Sequence, residues 1–276
     1  MISICFVHFD GGLDLRHLDA AWFSLSKQDF TGVNQVCFFD NNSPDSIDAI
    51  AAVLYRYPMP VPVHYEFAKH GDATKTQSWS VNHVCDTAKG PQILFTRSDY
   101  ILDFTTVARF RHVSENLPFN ARQTAFITSY AYHMAFDERG DQRIVGFRDI
   151  EQYGWREHGP QVLLEKVNGW KVDSSHLDAG VWLTQKALWA LVGGLDERLS
   201  AWGYQQTVFQ RALAQVGVHF PVLPEYLFFH QHHAAPRSYD VAKVELAEIG
   251  LSVAELQEFR PDVGAHSGNV CDELDK

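Results

Sequence analysis

The chain has 276 residues, 46% of them hydrophobic, with a formal charge of −11 and a pI near 5.6. That length suits one large α/β domain or two small ones. The acidic balance argues against a nucleic-acid surface, which needs clustered Lys and Arg, but a phosphorylated ligand stays possible if a metal ion supplies positive charge.

Four cysteines, Cys5, Cys37, Cys85 and Cys271, form no CxxC pair, so a reduced, cytoplasmic setting is expected. The opening MISICFVHF lacks the basic region of a signal peptide, and no stretch approaches the length of a membrane span. Residues 2–9 read as a first strand that stops at Asp10-Gly11-Gly12. Leu15, Leu18, Ala21, Trp22 and Leu25 recur at helical spacing over 13–29. A second strand, 33–39, ends in Asp40-Asn41-Asn42-Ser43-Pro44-Asp45, where Ser43 or Asp45 is placed to cap a helix over 46–57. A third strand follows at 61–67 and a helix at 77–88. A fourth strand then ends in the polar Arg97-Ser98-Asp99.

Beyond residue 104 the pattern is less regular. A strand is expected at 123–130 and a long charged loop at 137–160. Helices are expected at 184–193, ending at Gly193-Gly194, and at 203–216, ending at Gly217. The run VHFPVLPEYLFFHQHH is extended, and 243–259 carries a helical pattern before a polar tail. Arg109, Arg111 and His112 read as a solvated helix face. Strands alternating with helices predict a mostly parallel central sheet in a single α/β domain. Ligands of such sheets sit beyond the carboxyl ends of the strands.

The stretch from Gly180 to His233 is the most specific. Val192-Gly193-Gly194-Leu195-Asp196-Glu197 forms one motif, Trp202-Gly203-Tyr204 with Arg211 a second, and a late histidine run follows. This combination resembles the nucleotide-sugar glycosyltransferases of the GT-A fold, in particular their family-two group. The segment FFDNNSPD and the frame of Asn82, Ala88 and Gly90 resemble the same family more loosely. The resemblance implies a nucleotide-sugar-binding half (1–103), an acceptor-binding half (104–240) and a C-terminal helical extension and tail (241–276). It also implies transfer of a hexose, most simply from a UDP-sugar, to a hydroxyl of a glycan or other acceptor. Asp40, Asn42, Asn82, Asp10, Ser98 and Arg97 fall on the donor side, Trp202 near the acceptor, and Gln205 in reach of donor or acceptor. Asp99, His230 and His232 would hold Mn²⁺ or Mg²⁺.

Departures from the family pattern bear on the chemistry. The family's Asp-x-Asp is Arg97-Ser98-Asp99 here, and its Glu-Asp is Gln205-Gln206. An amide cannot take a proton from an acceptor hydroxyl. Catalysis would then rest on another arrangement around Gln206, on Asp196, or on the spare carboxylate Asp178. Leaving phosphates need fixed positive charge, from a cation or from Arg97 itself. Each residue also has a plain reading: Asp99, Asp40 and Asp10 as turn formers, the histidines as a solvated cluster, Asp196 as a helix cap, Trp202 as core, and the glutamines as surface. The rival to an enzyme is a nucleotide-sugar-binding module that has lost catalysis. A nucleotidyltransferase is disfavoured, because Gly11-Gly12 is not followed by a basic, glycine-rich phosphate loop.

Overall fold

In a computed structural model of the chain, the described residues are 1–9, 13, 15–68, 76–118, 125–134, 150–167, 169–171, 180–200, 204–218, 220–231 and 239–258. The first half follows the periodicities. Strand β1 (Ile2–Phe9) is followed by helix α1 (Leu15–Ser26), then β2 (Val33–Asn41), α2 (Ile47–Arg56), β3 (Val63–Phe67), α3 (Gln77–Asp86) and β4 (Gln92–Arg97). Helix α2 is capped by Ser46, one residue beyond the expected Asp45; its side chain accepts from the Ala49 N–H at 3.2 Å. Thr76 caps α3 in the same way, accepting from Trp79 N at 3.1 Å.

The second half adds β5 (Tyr100–Leu102), α4 (Thr106–Asn116), β6 (Phe126–Met134), the short helices α5 (Trp155–His158) and α6 (Leu163–Lys166), and β7 (Gly169–Lys171). Next come β8 (Trp182–Gln185), α7 (Lys186–Val192), α8 (Gln205–Gln215), β9 (Val222–His230), α9 (Tyr239–Glu248) and α10 (Val253–Glu258). Helix α7 stops at Gly193 and Gly194, whose φ values of 79° and 71° lie where L side chains are strained. Arg109 and Arg111 on α4 are ion-paired, to Glu225 and to Asp29.

Among the described residues, nine strands form one sheet in the order β3-β2-β1-β4-β8-β6-β9-β5, with β7 on β6. Its first four strands are parallel. Strand β8 then runs antiparallel to β4 and to β6, β7 antiparallel to β6, and β5 antiparallel to β9. The sheet is therefore mixed, where the alternation of elements had suggested a mostly parallel one. The reversals lie at β8, between β4 and β6, and at β5, which leaves β4 through the Ser98-Asp99 turn without a crossover helix. Strand β6 opposes β8, which opposes β4, and β9 is parallel to β6. Strands β1, β2, β3, β4, β6 and β9 thus share a direction and present their carboxyl ends along one edge.

Helices α1, α2 and α4 bury Leu18, Trp22, Ile50, Leu54, Val107 and Phe110 against one face of this α/β sheet. Helices α3, α7 and α8 bury Val81, Val84, Leu188, Trp189, Phe209 and Leu213 against the other. Arg156 ties α5 to α1 through Asp19 at 2.7 Å and lies over Phe23. Cys5 and Cys37 are neighbours across β1 and β2 and, with Cys85, are buried free thiols. Burial pushes the Cys5 thiol up; the hydrogen bond with Cys5 and burial do the same to Cys37, so both stay protonated. Among the described residues no helix is long and apolar enough to cross a membrane.

Trp22 locks one face. It is fully buried, meets Phe6 and Phe38 edge-on at 5.3 and 5.7 Å, and donates from Nε1 to the Leu54 carbonyl at 3.1 Å. Trp22→Phe removes that donor from a buried carbonyl and leaves a gap beside it. We expect a loss of about 1–3 kcal/mol in a denaturant titration. An unchanged midpoint would show that the indole is not the lock.

Candidate functional site

The chain's architecture concentrates polar groups at one place. Strand β4 runs out at Arg97, the chain turns through Ser98 and Asp99, and β5 leaves in the opposite direction to pair with the end of β9. That pairing sets Tyr100 opposite His230. Two segments far apart in sequence therefore deliver Asp99 and His230 to the same spot.

The contacts there are close and nearly all out of water. Arg97 Nη2 lies 3.0 Å from Asp99 Oδ2, with both side chains buried. His230 Nε2 lies 3.3 Å from the same oxygen. A carboxylate only accepts, so a hydrogen bond here requires the proton on Nε2. Arg97 also donates to the Tyr100 hydroxyl at 3.3 Å and sits over that ring, while His230 stacks on the ring at 4.8 Å. A Cβ on Gly180 would lie 2.2 Å from Tyr100 ring atoms, so only glycine fits behind the ring. Ser98 Oγ is 2.9 Å from Nδ1 of the buried His8 on β1. Gln231 closes the cluster: its N–H donates to the Asp99 carbonyl at 2.7 Å, and its Nε2 to the Ser98 and His17 carbonyls at 3.0 and 3.2 Å.

Of the expected metal ligands, Asp99 and His230 meet and His232 lies outside the described residues. The two that meet are bonded to each other, and the oxygen they share is also held by a guanidinium. Among the described residues no group of three His, Cys, Asp or Glu is disposed to hold a metal ion. Of the expected ligands, the described residues offer a divalent cation Asp99 and His230, with a buried guanidinium on their shared oxygen.

At the neighbouring strand end, Asp40 is buried and accepts at Oδ2 from the Ser43 N–H at 3.3 Å. Asn42 adopts φ 55°, a left-handed conformation that Asn tolerates better than most residues. His8 and Asp40 are partners across β1 and β2, which links this loop to the Ser98 cluster. Trp79 in the first turn of α3 stacks on His83 at 4.6 Å and 9°, beside Phe39, and His83 pairs with Glu66 at 2.7 Å. Asp10 lies outside the described residues.

The Gly-Gly motif has a scaffold partner in Asn82. Its Nδ2 donates to the Leu195 carbonyl and to Glu197, each at 2.9 Å, and its Oδ1 accepts from Leu195 N at 2.8 Å. A Cβ on Gly194 would fall 2.4 Å from Asn82 Oδ1. Asp196 is committed to Arg198, through the backbone N–H at 3.0 Å and the guanidinium at 2.9 and 2.6 Å. That guanidinium hydrogen bond holds the Asp196 carboxyl below the usual carboxylate range, which makes it a weak base. The Ser78 hydroxyl on α3 reaches the Leu199 carbonyl at 3.4 Å, and α8 opens soon afterwards with Gln205, fully buried, and Gln206, half-buried. Trp202 and Asp178 lie outside the described residues.

Sequence reasoning missed His8, Tyr100, Gly180 as a contact glycine, and Gln231. The available signals were a polar residue inside the apolar ISICFVHF and an amide set within the FFHQHH run.

No family model and no curated protein matches the chain. Solved structures do match in fold. One is S. aureus TarS 1-349 in complex with UDP, at 14% identity and a TM-score of 0.56, covering 99% of this chain and 70% of that one. Another is the same protein in complex with UDP-GlcNAc, at 13% identity and a TM-score of 0.56, covering 99% and 71%. A third, S. aureus TarS 1-349 alone, aligns at 15% identity and a TM-score of 0.55 over 92% and 68%. At such identities the likeness establishes the fold.

The contacts of Asn82 generate a test. Asn82→Ala leaves the Leu195 N–H and carbonyl without their side-chain partner and is expected to cost about 1–3 kcal/mol of stability. An unchanged midpoint in a denaturant titration would release Asn82 from this scaffold role.

Proposed function

We propose that the chain transfers a sugar from a nucleoside diphosphate sugar, most simply a UDP-hexose, to an acceptor hydroxyl. The observation that carries this reading is the convergence of Asp40, Arg97, Ser98, Asp99 and His230 at the carboxyl edge of a fold that, in TarS, is in complex with UDP and with UDP-GlcNAc. Asp40 and the Asn42 turn lie on the strand next to β1 and suit the base and ribose. Arg97 and Ser98, on the far side of β1, suit the diphosphate. In the reaction the bond from the sugar's anomeric carbon to the phosphate oxygen breaks, the acceptor oxygen bonds to that carbon, and the acceptor loses a proton. Neither Gln205 nor Gln206 takes that proton, and Asp196 is a poor candidate while Arg198 holds it. The base is then another carboxylate or the departing phosphate itself, and the product's anomeric configuration distinguishes the two.

The second reading is a binding module that holds the nucleotide sugar without transferring it. The Gln205-Gln206 pair is the feature that favours it. Release of UDP from a panel of UDP-sugars with mixed acceptors tests both readings. Transfer predicts turnover, with Asp40→Ala raising KM about tenfold or more as a nucleotide contact worth about 1.4 kcal/mol is lost. Tight UDP binding with no release from any donor would support the module. Absence of nucleotide binding would reject both.

A further inference from the structure

Resting on that nucleotide-sugar reading, we infer that the Arg97 guanidinium, and not a divalent cation, neutralises the donor's diphosphate. A Mg²⁺ or Mn²⁺ site is built from carboxylates whose oxygens face the ion. Here the carboxylate at the turn, Asp99, faces Arg97 at 3.0 Å and His230 at 3.3 Å through a single oxygen, Oδ2. A dication at Oδ2 would also sit beside a buried guanidinium, where like charges repel strongly because water does not screen them.

The same geometry makes Arg97 a prepared anion site. Its guanidinium is fixed by the Asp99 carboxylate on one side and by the Tyr100 hydroxyl and ring on another. Tyr100 is itself locked between His230 and the glycine-only space at Gly180. A guanidinium has five N–H groups in a rigid fork, so it can keep a carboxylate on one edge and take phosphate oxygens on another. Asp99 then positions Arg97, and Arg97 supplies the charge that stabilises the leaving diphosphate. His8, which holds Ser98 at 2.9 Å, orders the same turn.

Isothermal titration of the full chain with UDP, and separately with uridine, tests this in EDTA and in Mn²⁺. The expected result is UDP affinity that agrees within about twofold in the two buffers. The paired variant Arg97→Met with Asp99→Asn removes both buried charges together, so the fold has no orphaned ion to expel. It should weaken UDP by about tenfold or more and leave uridine unchanged. Arg97→Lys, which keeps the charge without the fork, should fall between, and circular dichroism confirms that each variant is folded. UDP binding that appears only with Mn²⁺ would overturn the inference and leave the nucleotide reading intact. So would folded Arg97 variants that bind UDP like the native chain. Failure of native protein to bind either UDP or uridine would remove the nucleotide reading and the inference together.

Discussion

The Asp99 carboxylate lies almost wholly out of water, and a charge in that position has to be met by another. Arg97 meets it from the last residue of β4, and His230 from the last residue of β9. Removing one partner of such a pair typically costs about 3–5 kcal/mol, because the other is left buried and unpaired. Much of the local architecture answers to this constraint. The reversal into β5 brings His230 within reach, Gly180 makes room for the ring under the guanidinium, and Gln231 fixes the turn's carbonyls. A buried pair of this kind adds little net stability of its own. Its cost is easier to understand if the cation has a ligand to meet.

The early part of the fold was legible because its signals are local. Alternating apolar strands and the 3.6-residue spacing of Leu18, Ala21, Trp22 and Leu25 name their elements without reference to the rest of the chain. Strand direction in the second half is not local, and neither is strand β8. Its four residues, WLTQ, run straight into a helix and look like that helix's first turn. Strand β5 has three residues and takes its identity from β9.

The site divides along the same line. Arg97, Ser98, Asp99, Asp40 and His230 stood out because polar residues just past apolar strands fall at the ligand edge of an α/β sheet. Asp99 and His230, 131 positions apart, were expected to meet only through a metal ion; their direct contact, with Arg97 on the same oxygen, has no local signal. The same holds for Asn82, whose frame suggested a donor contact. Its amide is engaged by a turn 113 residues later, and no pattern local to α3 encodes that partner. Asp196 likewise looked available for catalysis until Arg198 was seen to wrap it.

The neighbour of β4 in the sheet has a consequence for how the molecule is made. On one side β4 is covered by β1, which precedes it in the chain; on the other it is covered by β8, which begins only at Trp182. During synthesis, the Leu94 and Phe95 edge of β4 stays unpaired while the whole middle of the chain emerges, and α3 waits as long for the turn that Asn82 holds. An open apolar strand edge is a template for pairing with a second chain. The first four strands are therefore open on one side until β8 arrives, so the interval before Trp182 leaves the ribosome exposes the β4 edge to misassembly.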